Sequence, residues 1–155
     1  MQPAEKEEVH MFKHILVPTD GTELATEALK NAIKLAGQSG ASLTCLHVMP
    51  DYDALGYQME MLAITREAYL SAARERVERT LAEASKLAAQ AGVKMEVRST
   101  VHNHPWRAIV DETDGAGCDL IAMASHGRGG IESLLIGSET QKVLTHSRVP
   151  VLVFR

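Results

Sequence analysis

Short apolar runs rich in β-branched residues alternate with helical stretches along this chain, and that alternation admits few architectures. His14-Ile15-Leu16-Val17 reads as a first strand, ended by Pro18. Thr22 is placed to cap a helix running to about Gln38, whose Ala25, Ala28, Leu29, Ala32, Ile33, Leu35 and Ala36 form a broad apolar face. Gly40 is its stop. Residues 42–48 read as a second strand ended by Met49-Pro50, and residues 51–59, with Gly56, read as a loop. A long helix is predicted from about Glu60 to Ala91, with Leu62, Tyr69, Ala73, Val77, Leu81, Ala84 and Ala88 at three- or four-residue steps and Gly92 at its end. Residues 93–101 alternate as a third strand, Pro105–Ala116 form a short helix, and residues 119–124 are a fourth strand. A helix over 139–146 then precedes a fifth strand over 149–154. Five strands with intervening helices imply a single-domain α/β fold around a doubly wound parallel sheet.

The bulk properties fit such a domain. At 155 residues, 45% hydrophobic and 23% charged, the chain can bury a substantial core. Sixteen basic against twenty acidic residues give a net charge of −4, which offers no general attraction to nucleic acid or anionic lipid. The mixed charges of Arg74, Glu75, Arg76, Glu78 and Arg79 read as a solvated helix face. Cys45 and Cys118 both lie in apolar runs, so buried free thiols and a reducing compartment are expected. No apolar run approaches the ~18 residues of a membrane span, and the polar residues 1–10 read as a loose leader. The cytoplasm is the expected location.

Residues 123–140 carry the strongest functional signal. After the apolar run Leu120-Ile121-Ala122-Met123 come Gly127, Gly129 and Gly130, then Gly137-Ser138 at a helix start. Glycines let a backbone approach a ligand closely, and the first amides of a helix attract anions. The segment therefore reads as a phosphate cradle, or alternatively as a surface turn followed by a capping box formed by Ser138 and Gln141. It is not a P-loop, because Ser138-Glu139 follow Gly137 where Lys and Ser/Thr are needed. Nor is it a dinucleotide fingerprint, because Glu132 stands where a third glycine would fall.

The same segment resembles the signature of the universal stress protein family: Gly-x-x-Gly, nine residues, then Gly-Ser/Thr. Gly127 and Gly137-Ser138 match with the spacing intact, and Ala124 replaces the first glycine. The similarity runs from Lys13-His14-Ile15-Leu16-Val17-Pro18-Thr19-Asp20 to Val149-Pro150-Val151-Leu152-Val153-Phe154, placing the domain at 11–155. It implies a Rossmann-like, adenine nucleotide alpha hydrolase-like sheet of strand order 3-2-1-4-5. It further implies ATP with Mg²⁺ or Mn²⁺ as ligand, a stress-response role through nucleotide sensing or an unidentified regulatory partner, and a homodimer paired along residues 149–154. An uncovered apolar edge there invites another strand, and the chain's own N-terminal residues are the alternative cover.

With that strand order, Pro18, Thr19 and Asp20 face Ala124, Ser125, His126 and Gly127 across one crevice at the strands' carboxyl ends, with Val48 beside them. Val48 and Met123 would sandwich adenine. Amides of Ser125–Gly127 and of Ser138, Glu139 and Thr140, after Gly137, would hold phosphates with the Ser138 and Thr140 hydroxyls. Asp20 repels phosphate directly, so it either ligates a bridging Mg²⁺ or Mn²⁺ or, with Gly21, starts the first βα turn. Ala124 is harmless if it ends a regular strand at negative φ, and costly if the position requires positive φ.

Weaker candidates remain. His102 and His104 share a strand face without further ligands at zinc spacing, and Asn103-His104-Pro105 reads as a turn and helix start. His126 would bond a phosphate or cap its loop, and Trp106 reads as packing. No Cys–His or Ser–His pair argues for an activated nucleophile, so any ATP hydrolysis is expected to be slow. The competing readings are an interaction protein that binds no nucleotide and a true phosphotransferase or hydrolase.

Overall fold

The computed structural model describes residues 10–127 and 135–155. The predicted leader, and with it Gly129 and Gly130, lies mostly outside them. The elements run β1 (His14–Pro18), α1 (Glu23–Ser39), β2 (Ser42–Met49), a 3₁₀ turn (Tyr52–Leu55), α2 (Gly56–Met61), α3 (Arg66–Gln90), β3 (Met95–Val101), α4 (Pro105–Ala116), β4 (Leu120–Ala124), α5 (Ser138–His146) and β5 (Val151–Phe154). The five strands are parallel and lie in the order β3-β2-β1-β4-β5, as expected.

The sheet is covered on both faces, which is why its central strands read as continuous apolar runs. Successive residues of β1 point to opposite faces. Ile15 and Val17 pack with Leu29, Ile33 and Ala36 of α1 and Val77, Leu81 and Ala84 of α3. Leu16 packs on the other face with Ile121, Ile109 of α4 and Val143 of α5. Cys45 and Cys118 are buried free thiols.

Local chemistry sets the helix ends. Thr22 caps α1 by accepting from the Ala25 amide at 3.3 Å, and Gly40 ends it at φ 70 with its N–H on the Ala36 carbonyl. The stretch before α3 departs from expectation. Residues 51–59 hold a 3₁₀ turn and the start of α2, and α3 begins at Arg66, not at Glu60. Ala63 takes a positive φ of 53, and Thr65 restarts the chain by capping the Ala68 amide at 3.1 Å. Leu62 accordingly leaves the buried stripe and stands 64% exposed. The fifth strand begins at Val151 rather than at residue 149, because Pro150 has no N–H for the ladder. No described helix is long and apolar enough to cross a membrane.

Candidate functional site

β1 leads to α1 on one face of the sheet and its neighbour β4 leads to α5 on the other, so their carboxyl ends diverge. Ligands of open α/β sheets bind at such a point. A cleft of about 370 Å³ opens there. Pro18, Thr19 and Asp20 reach it from β1 and its turn, and Val48 from β2. Met123 and Ala124 come from β4, His126 and Gly127 from the following loop, and Glu139 and Thr140 from α5. Ser125, Gly137 and Ser138 are not among its lining residues.

The β1–α1 turn is held on several sides. The Thr19 amide donates to the Leu46 carbonyl at 2.8 Å, and the Gly21 amide to Thr19 Oγ1 at 3.3 Å. Asp20 Oδ1 accepts from the Thr22 amide at 3.0 Å and from Thr22 Oγ1 at 2.6 Å, so Asp20 does build the turn. Gly21 has φ +79, and a Cβ there would lie 3.0 Å from Thr80 Oγ1 of α3. Across the crevice, a Cβ on Gly127 would lie 3.0 Å from Asp20 Oδ2, so this glycine permits close approach of the two loops.

The opposite wall is equally defined. Ala124 is a buried strand residue paired with Phe154 and lacks positive φ, so its methyl fits where the family signature has glycine. The Ser125 amide donates to the Phe154 carbonyl at 2.8 Å, and the Ser125 carbonyl accepts from the Gly137 amide at 2.8 Å. A Cβ on Gly137 would sit 3.1 Å from that carbonyl and 3.3 Å from His126 Cα. Gly137 is the N-cap of α5 and supplies no side-chain cap. The capping-box alternative is thereby set aside: Ser138 is the first helical residue, and Gln141 Nε2 donates to the Ile136 carbonyl at 2.7 Å. The amides of Ser138, Glu139 and Thr140 find no acceptor among the described residues.

Two side chains behave differently from expectation. Thr140 Oγ1 donates to the Ala124 carbonyl at 3.1 Å, so its proton is committed within the protein. Glu139 Oε2 accepts from the Trp106 amide at 2.9 Å, capping α4, and Oε1 meets Lys142 Nζ at 3.1 Å. Sequence reasoning also passed over an adjacent pair. Ser125 Oγ lies 2.9 Å from His126 Nδ1, so the two are hydrogen-bonded. Ser125 is 3% exposed, which makes it a positioning partner for the imidazole rather than a nucleophile. The pair was legible as Ser-His before a glycine. By contrast, Tyr69, Ala73, Arg76 and Val77 of α3 line the cleft at helical spacing, which a core stripe shares.

Among the described residues no group of three or more His, Cys, Asp or Glu is arranged to hold a metal. His102 Nδ1 is occupied by the His104 amide at 2.8 Å. Burial pushes the Cys45 thiol up to about 12 and is the main cause that pushes Cys118 up to about 11.

The comparisons with known proteins agree with this fold. The profile of the universal stress protein family matches residues 11–155. A Thermus aquaticus universal stress protein from the QAH/OAS sulfhydrylase 3′ region is 36% identical over 148 residues, covering 94% of this chain and 100% of its own. Universal stress protein MJ0531 of Methanocaldococcus jannaschii is 29% identical over 146 residues, covering 94% and 84%. Among solved structures, MJ0577 is 28% identical with a TM-score of 0.77, covering 92% of this chain and 95% of its own. A universal stress protein in complex with cAMP is 25% identical with a TM-score of 0.66, covering 93% and 97%. With the fold, the Gly127–Gly137 spacing and the profile match in agreement, this chain belongs to the universal stress protein family.

Proposed function

We propose that the cleft between β1 and β4 binds an adenine nucleotide, with ATP as the ligand and Mg²⁺ or Mn²⁺ on its phosphates. The observation that carries this reading is the start of α5 beside the cleft, where Gly137 stands at the N-cap and the amides of Ser138, Glu139 and Thr140 find no acceptor among the described residues. Apolar Val48 and Met123 give adenine two walls, and His126 borders the phosphate end. The cAMP complex of a relative supports the nucleotide class. Asp20 is suited to ligate a phosphate-bound cation, since its carboxylate lines the cleft at the carboxyl end of β1. Such a cation neutralises charge between the phosphates and this carboxylate. Binding, rather than turnover, is the activity proposed, because the one Ser–His pair in the site has its hydroxyl buried.

The nucleotide-loaded state then adjusts a protein partner under stress, and two copies pair along β5, the apolar edge strand whose Leu152 is 37% exposed. Thermal unfolding of nucleotide-free protein with ATP, GTP and adenosine tests the ligand class. Selective stabilisation by ATP is expected. Equal response to GTP contradicts the adenine pocket, and no response to any nucleotide favours the interaction-protein reading. Light scattering at micromolar concentration tests the dimer, and a monomer defeats it.

A further inference from the structure

A second cavity, of about 230 Å³, lies between α1 and α3 behind the β1–α1 turn. Leu29, Ala84 and Leu87 contribute apolar walls, and Thr26, Arg76, Arg79 and Thr80 bring polar groups to it. We propose that this cavity is a second binding site, taking a small oxyanion such as inorganic phosphate on Arg76, Arg79 and Thr80.

The charges support an anion. Arg76 and Arg79 stand three residues apart on α3 and so share a face. Neither guanidinium makes an ion pair with a described carboxylate, although five other described arginines and lysines do. A guanidinium presents several donors in a fixed fork that matches phosphate oxygens. Thr80 Oγ1 sits against the Gly21 backbone, 3.0 Å from where a Cβ would be, which places a hydroxyl beside the turn in the cavity that both arginines line. Thr26 contributes less, because its hydroxyl donates to the Thr22 carbonyl at 2.9 Å.

One acidic group, Glu83, also lines the cavity. Lys30 of α1 stands close enough to feel its charge: hydrogen bonding to Glu27 is the main cause that raises the Lys30 ammonium, and Glu83 adds to it. Two guanidinium groups against this single carboxylate leave the cavity net positive in a chain whose overall charge is −4. The site is distinct from the nucleotide cleft but adjoins it, since Thr19 and Arg76 border both.

The test is amide and arginine Nε chemical-shift mapping of the ¹⁵N-labelled full chain, titrated with inorganic phosphate against chloride at matched ionic strength. Saturable shifts at Gly21, Arg79 and Thr80 are expected, with Arg79→Gln weakening phosphate about tenfold or more and Arg79→Lys keeping part of the affinity. ATP affinity should be unchanged in Arg79→Gln, because Arg79 borders only this cavity. Shifts confined to Ser138, Glu139 and Thr140, an unsaturable response, or equal binding by Arg79→Gln overturns the proposal. Apart from the ATP control, none of these results depends on whether ATP binds the larger cleft.

Discussion

The Glu139 carboxylate on α5 accepts a hydrogen bond from the Trp106 amide on α4 at 2.9 Å, across 33 residues of sequence. The N-cap of α4, His104, makes no side-chain capping bond, so Glu139 supplies from another helix what the local sequence lacks. The start of α4 and the first turn of α5 are thus joined through one residue. Glu139→Ala should lower stability by about 1 kcal/mol, the usual cost of losing an N-cap. Urea unfolding followed by the fluorescence of Trp106, the sole tryptophan, measures it. An unchanged midpoint would remove Glu139 from the fold's support.

Gly137→Val should abolish nucleotide binding while the fold persists. Its Cβ would press on the Ser125 carbonyl at 3.1 Å and on His126 Cα at 3.3 Å, displacing the wall that the phosphates would meet. A native circular dichroism spectrum with lost ATP affinity is the expected pair of results, and retained affinity sinks the cradle.

Under the proposed nucleotide reading the imidazole meets the phosphates, so His126→Ala should weaken ATP about tenfold and leave adenosine nearly unchanged. Ser125→Ala, which removes only the hydrogen bond at 2.9 Å to Nδ1, should weaken ATP about two- to tenfold. Parallel losses for ATP and adenosine would place both residues in a purely structural role.

Much of the architecture was legible because its signals are local. Thr22 and Gly40 bracket α1, and Ile15, Leu16 and Val17 announce a strand buried on both faces. The break before α3 was not, since Ala63 at positive φ gives no compositional sign and Leu62 happens to continue the apolar spacing. For the candidate site, glycine spacing pointed to the crevice at which the structure has a cleft. The cap from Glu139 to Trp106 and the α3 wall at Tyr69 and Arg76 arise only when distant elements pack together.

Both thiols should resist a thiol reagent in the native protein at neutral pH. Cys45 is 0% and Cys118 6% exposed, and burial raises both above their ordinary range. Two equivalents should react after unfolding in urea. Rapid native labelling would contradict the packing described for β2 and the turn before β4.

Asp20→Ala separates metal from turn. Loss of the Thr22 contacts at 3.0 and 2.6 Å should cost about 1 kcal/mol of stability, whereas loss of a cation ligand should remove the magnesium dependence of ATP binding. Persisting magnesium dependence would leave Asp20 as a turn residue alone.

Calorimetric titration of purified, nucleotide-free protein with ATP, with and without Mg²⁺, tests the central claim most directly. Magnesium-dependent binding with a dissociation constant on the order of micromolar is the predicted result. No heat and no thermal stabilisation at millimolar ATP would contradict it.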